Sequence, residues 1–248
     1  MPPQDYPPAD HIQQISETTY NEARAYGYSA DDMTLLPCGV FPDRFRVDST
    51  REQLRERNGI SPGTTVVLSV AALNRYHKRT DYLIREVAET EGDLLLWLDG
   101  SLDHGDPDLI AEAETKLGDR CRITHVPTDS VGELYAMADL MVHTATFEAF
   151  GLAIVEGAMM GLPLLIHNGA HFRWLVPNEA SWVDMNQPGA LAERLAGLME
   201  NRSNLASLTG EESARARFEW AGLKGKYASL YDRLMERDDD VRVPAIDS

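Results

Sequence analysis

Residues 64–90 read TTVVLSVAALNRYHKRTDYLIREVAET: a β-branched run, a basic turn, then apolar positions at helical spacing. The same grammar repeats downstream. DLLLWLDG (93–100), CRITHVP (121–127), DLMVHTA (139–145) and LPLLIHN (162–168) are short apolar runs, and SWVDM (181–185) is a sixth candidate strand. Between them, DPDLIAEAETKLG (106–118), VGELYAMA (131–138) and FGLAIVEGAMM (150–160) carry helical periodicity, and HFRWLVP (171–177) reads as a short helical turn. Strands that are apolar throughout, not alternating, belong to parallel sheets covered on both faces. Strand–helix alternation with short connections therefore predicts an α/β fold with a doubly wound, Rossmann-like parallel sheet.

Outward from this core the signals change. Residues 1–11 are rich in proline and polar groups and read as a tail. Residues 12–26 read as helix, stopped by Gly27. MTLLPCGVFPDRFRVD (33–48) reads as a short strand entering a Pro/Gly turn, and 50–58 as a helix. Past 188 the pattern is helical to Met235, and 237–248 is an acidic tail. The expected organisation is thus 1–48 as tail, helix and linker, 49–236 as the binding domain, and 237–248 as the tail.

Charge narrows the partners. Forty acidic residues against 23 basic ones leave a net −17, which excludes a general nucleic-acid binder and an anionic-membrane binder. Only four of the 23 are lysines, and a surface so acidic suits high salt. The start has no basic and apolar leader pattern, and no apolar run is long enough to span a bilayer. Two cysteines, Cys38 and Cys121, make neither a disulfide framework nor a zinc site. Against this background Arg75-Tyr76-His77-Lys78-Arg79 is a dense basic knot at a helix start. A helix N-terminus is already positive, so cations there make sense when an anion joins them. Arg75 offers a fork of donors and Lys78 a point charge, both suited to a pyrophosphate. The bland alternative is a solvated basic turn.

The loop before the fifth helix, Thr144–Gly151, carries a second signal. Gly151 permits close approach to backbone, and the N–H groups of 150–153 open the helix. Glu148 stands at its mouth, and Glu156 lies among Ile154, Val155 and Ala158. A carboxylate in so apolar a stretch is paired or hydrogen-bonded, and vicinal hydroxyls of a ribose or sugar are good partners. The alternatives are a helix-capping Glu148 and a salt-bridged Glu156. There is no G-x-G-x-x-G and no phosphate-binding P-loop. His77, His143 and His167 fall at or near strand ends, with His143 expected at a pocket edge or in the core. Ser69 and Cys38 have no visible base partner, so nucleophilic catalysis is unsupported. The acidic loop 99–108 reads as solvated, with cation binding as its alternative.

At this point the chain resembles a known family. Glu148-AFGLAIV-Glu156 is similar to the E-x7-E motif of retaining GT-B glycosyltransferases of group 1, whose members include sucrose synthase-like enzymes and mannosyltransferases. The likeness extends to TATFEAFGLAIVEGAMMGLPLL, to AALNRYHKRTDYLI and to PCGVFPDRF (37–45), in order and spacing, and covers Met33 to Met235. The departures are Leu73 where the family has arginine, Arg79 for glycine, Thr144-Ala145 for Pro-Ser, and His125-Val126-Pro127 where a glycine is usual. The resemblance implies that Lys78, with Arg75 or Arg79, holds a diphosphate. It implies that the amides of Ala149, Phe150, Gly151 and Leu152 bind the distal phosphate or sugar. Glu148 would engage sugar hydroxyls, Glu156 the ribose, and Val126 the base. The donor would be a UDP- or GDP-linked sugar, transferred with retention and without metal or other cofactor. The acceptor, a sugar or lipid-linked sugar, would come through a missing or separate N-terminal domain, since only some 30 residues precede the matched segment. The expected place is the cytoplasm, free or peripheral to a membrane. A sugar-nucleotide binding module without acceptor domain, and an epimerase of the same architecture, are the competing readings.

Overall fold

Each strand of the repeating core is too apolar to leave either face in water, and the computed structural model shows how both are covered. It describes residues 9–102 and 107–236. Six parallel strands form one sheet in the order β5-β4-β3-β6-β7-β8: β3 is Thr65–Val70, β4 Leu94–Asp99, β5 Cys121–Thr124, β6 Leu140–His143, β7 Leu164–His167 and β8 Trp182–Val183. The register is long between β3 and β4, from Thr65↔Leu94 to Val70↔Asp99, and short between β3 and β6, at Val67↔Leu140 and Leu68↔Met141.

Side chains alternate across the sheet and feed two separate cores. Val66, Leu68, Trp97, Met141 and Ile166 pack with α5 (Val131–Met137), α6 (Leu152–Met159) and α9 (Glu211–Phe218). Val67, Leu96, Leu98, Val142 and Leu165 face the other way, toward α3 (Thr80–Ala88), α4 (Pro107–Leu117) and α8 (Ala190–Glu200). Each fully buried Leu or Val contributes about 1.5–3 kcal/mol, so the sheet is held from both sides. Gly132 shows how closely the layers approach: a Cβ there would lie 2.5 Å from the Phe45 carbonyl oxygen.

The N-terminal segment departs from expectation. Ile12–Gln14 form a strand, β1, parallel to β2 (Met33–Leu35) through Ile12↔Met33 to Gln14↔Leu35. The helix, α1, runs only over Glu17–Ala25, with the Ser16 hydroxyl accepting from the Thr19 N–H as its cap. Helical spacing loses here to backbone pairing with a segment some twenty residues on. The helix expected over 50–58 is α2 (Arg51–Arg57), and it starts at a Thr50–Gln53 capping box. The short helix α7 spans Ala170–Leu175.

The C-terminal helical run is also broken. Val40 N–H donates to Phe218 O and Trp220 N–H to Val40 O, both at 2.8 Å. That bridge ends α9 at Phe218 and starts α10 at Trp220, which continues to Glu236. Leu36, Leu223 and Leu230 then form a small third core that fastens β1–β2 to α10. The tail beyond Glu236, and most of the one before β1, lie outside the described residues.

Candidate functional site

Strand order reverses between β3 and β6, so the loops leaving their carboxyl ends diverge and open a crevice. The loop after β3 is shaped by Asn74, whose side-chain oxygen accepts from His77 N–H at 2.9 Å and Lys78 N–H at 2.8 Å. Thr144, just past β6, donates to Lys78 O at 2.7 Å and so ties the two loops together. Arg79 begins α3 in the left-handed region, φ 54°. Its guanidinium donates to Met185 O at 2.8 Å and stacks 4.7 Å above the Tyr82 ring.

The crevice brings Lys78 and Glu148 into a direct ion pair between Nζ and Oε1, seventy residues apart in the chain. The same Oε1 accepts from His143 Nε2 at 2.7 Å. Oε2 has the His77 ring 3.9 Å away. Burial raises the Glu148 carboxyl, but the hydrogen bonds and charge of His143 and Lys78 outweigh it and bring the pKa down to about 2. His143 is 3% exposed, and its Nδ1 is buried without a partner. The residue expected at a pocket edge or in the core is thus buried and spends its hydrogen bond on Glu148. The sequence carried one signal for this, an acid five residues after a strand-end histidine.

The other expected site residues separate into groups. Gly151 caps α6 at φ 93°, a conformation that suits glycine, and presents the first N–H groups of the helix to the crevice mouth. Ala149 and Leu152 are exposed there. The Phe150 ring instead packs edge-on against Phe218 in the core, while its carbonyl accepts from His171 Nε2 at 2.9 Å. Glu156, on the inner side of α6, accepts from the Tyr135 hydroxyl at 2.8 Å. Burial raises its carboxyl, and the Tyr135 bond and Arg44 pull the other way. Val126 sits after β5 with its N–H given to Asp99 Oδ1 at 3.0 Å, and its half-buried side chain packs against the first core. Arg75 turns outward to α4 and pairs with Glu112 at 2.6 Å. The acidic loop expected as a cation alternative falls partly at 103–106, outside the described residues. Among the described residues, no group of three or more His, Cys, Asp or Glu is placed to hold a metal.

A parallel α/β sheet with a cation, a carboxylate and a helix N-terminus at its switch point is the domain plan of GT-B glycosyltransferases. The solved structures agree on the fold. The chain superposes on Anabaena HepE in complex with UDP and glucose with a TM-score of 0.79 at 20% identity, covering 91% of this chain and 64% of that one. Sucrose-phosphate synthase from Thermosynechococcus elongatus gives 0.79 at 21% identity, over 93% and 60%. The family model described as glycosyl transferases group 1 matches residues 50–216, well over half of the chain, and the chain belongs to that family. Among its relatives, D-inositol 3-phosphate glycosyltransferase of Rhodococcus jostii is 27% identical over 223 residues, 84% of this chain and 49% of the relative. Lipopolysaccharide glucosyltransferase WaaG of Escherichia coli is 31% identical over 148 residues, 56% of this chain and 38% of the relative. The chain therefore spans about half or less of the length of these curated relatives. Among the described residues, no helix is long and apolar enough to cross a membrane.

Proposed function

We propose that this chain is the donor-binding part of a retaining, metal-independent group 1 glycosyltransferase of hexosyl type. Its donor would be a UDP- or GDP-linked sugar, and its acceptor a sugar or lipid-linked sugar bound through a further α/β domain. Residues 49–236 form the donor domain in this reading. The observation that carries it is the Lys78–Glu148 pair in the β3/β6 crevice, facing the N-terminus of α6.

The chemistry follows from where charge develops. Cleavage of a glycosyl–phosphate bond leaves negative charge on the departing diphosphate. Cations and backbone N–H groups fixed before the reaction lower that barrier most. Lys78 is the central cation, and the first amides of α6, from Ala149 to Leu152, are the dipolar partners. Arg79 flanks them from the β8 side, and Arg75 from the α4 side with Glu112 as its resting partner. Glu148 stays ionised, and its Oε2 is the oxygen open to sugar hydroxyls. Glu156 keeps one oxygen on Tyr135 and offers the other to a ribose hydroxyl, while Val126 lines the base. Retention is what the resemblance of Glu148-AFGLAIV-Glu156 to the E-x7-E motif implies.

Calorimetry with UDP, GDP, ADP and UDP-glucose tests this reading. One nucleotide binds at a single site, and UDP-glucose or a related sugar nucleotide binds more tightly than its bare diphosphate. No binding of any of the four at low and at high salt overturns it. A lone binding module is the second reading, kept open by the chain's 49% span of its relative. An acceptor domain added to the same tube separates the two, since only the transferase then releases UDP from the sugar nucleotide.

A further inference from the structure

Glu148 receives two donors on one oxygen. Lys78 Nζ and His143 Nε2 both meet Oε1, while Oε2 keeps only the His77 ring at 3.9 Å. A carboxylate has lone pairs for about four hydrogen bonds, so this crowding is not forced by a shortage of acceptor sites. The two donors also differ in reach. Lys78 hangs from a turn at the crevice mouth on a flexible stem and is 18% exposed at the side chain. His143 ends β6 inside the sheet, is 4% exposed at the side chain, and has no second polar partner, because its Nδ1 is buried and unbonded.

We infer that Lys78 is exchanged between Glu148 and the donor's diphosphate, and that His143 is the positioning residue that holds Glu148 when Lys78 leaves. The inference rests on the donor-binding reading above. A diphosphate entering the crevice draws Lys78 Nζ off Oε1, because two or three anionic oxygens compete with one carboxylate. Without a second donor Glu148 would then be a buried carboxylate with neither pairing nor orientation. The His143 bond keeps it ionised and fixed while Oε2 meets the sugar. In the empty site the ion pair has the opposite effect: it occupies the one lysine of the crevice and lowers affinity for a bare nucleotide. The titratable groups facing Glu148 are Lys78 and His77 from the β3–α3 loop, His143 from β6, and His171 from α7, whose own ring is turned to Phe150 O.

Two measurements on the whole chain decide it. The first needs no ligand. The Glu148 carboxyl resonance, assigned by its loss in Glu148→Gln, is titrated by carbon NMR in protein labelled at glutamate. In the wild type it stays ionised to well below the ordinary range. In His143→Leu the midpoint rises by about one unit or more, since burial is then less opposed. His143→Gln, whose amide nitrogen can replace Nε2, restores most of the shift. A midpoint unmoved in His143→Leu overturns the positioning role. If His143→Leu does not fold, His143→Asn, whose shorter amide falls short of the Nε2 position, carries the test: a midpoint raised toward the ordinary glutamate range supports the role, and one as low as wild type overturns it.

The second measurement is UDP affinity by calorimetry. Glu148→Gln frees Lys78, and UDP binds about three- to tenfold more tightly than to wild type. In a Lys78→Ala background the same substitution gives no gain. A gain that persists without Lys78 is simple relief of repulsion between Glu148 and phosphate, and it overturns the exchange. Equal or weaker binding to Glu148→Gln overturns it as well. Should wild type bind none of UDP, GDP and ADP, the donor-binding reading itself falls and takes the exchange with it. A His143→Leu midpoint that still moves would then leave His143 as a holder of Glu148 in a site of another kind.

Discussion

The two ends of the sheet each hold one acid among cations, and they are built differently. At the amino end Asp139, just before β6, is saturated. Its Oδ1 accepts from Arg51 at 2.5 Å and its Oδ2 from Arg55 at 3.3 Å and from Val66 N–H at 2.8 Å, with Arg202 3.8 Å away. The three guanidiniums are committed as well, to Ala138 O, Thr64 O and Gly63 O. Arg51, Arg55, Arg202 and Asp139 line a cavity of about 570 Å³. At the carboxyl end Glu148 has donors on one oxygen only, and Lys78 has carboxylate and open crevice within reach. A network whose carboxylate is answered on both oxygens holds strands together, even with Arg55 Nε buried and unbonded. A network with open positions is the one that receives a ligand.

The comparison breaks most visibly at Asp139. Asp139→Ala leaves Arg55, a buried side chain, without its counter-charge, and the cost is about 3–5 kcal/mol of stability in urea unfolding. A loss under ~1 kcal/mol would mean the amino-end network is not structural.

Glu148 gives the next largest effect, and it depends on pH. Its folded pKa of about 2 lies below the ordinary 4.5. Its contribution is therefore present above the unfolded value and disappears as pH falls from 4.5 toward 2. The stability gap between wild type and Glu148→Gln is on the order of 2–3 kcal/mol near neutrality and closes through that window. Urea midpoints of both proteins at several pH values check this, and a gap that widens in acid refutes it.

Lys78→Ala should act on binding more than on folding. Nucleotide affinity falls by about 1.5–3 kcal/mol, the worth of a hydrogen bond to a charged group, while stability falls by less than in Glu148→Gln, because the His143 bond still holds the carboxylate. Equal losses in both would erase the distinction between the two ends. Arg75→Ala gives the smallest change, under about 1 kcal/mol in either measurement, because Arg75 is partly exposed and paired with Glu112. A tenfold loss of nucleotide affinity would show that Arg75 leaves Glu112 for the ligand.

The two ends also differ in how far the sequence revealed them. The β3–β8 strands and their helices were legible because apolar runs of that kind fit one environment, a sheet covered twice. Lys78 and Glu148 were legible as chemistry, a basic knot and an acid at a glycine-opened helix. Their direct contact was not, because it depends on strand order, which local pattern does not encode. The amino end was silent for the same reason: Arg51 and Arg55 on α2, Asp139 and Arg202 come from three separate segments, and each reads as an ordinary surface charge. Ile12–Gln14 was misread because its extended shape comes from pairing with Met33–Leu35 and not from its own residues.

Arg79 carries a consequence for sequence variation. It is the one non-glycine residue at positive φ among the described residues. A side chain in that conformation costs about 1–2 kcal/mol, and here the Met185 bond and the Tyr82 stacking offset it. The position is therefore open to drift in one direction. A change to glycine removes strain and two tethers together and is nearly silent in stability. A change to a β-branched residue removes the tethers and keeps the strain. Homologues that dispense with the arginine should thus carry glycine or asparagine there, while Tyr82 stays held by its burial in the core and by its hydroxyl's bond to Gln187 O at 3.0 Å.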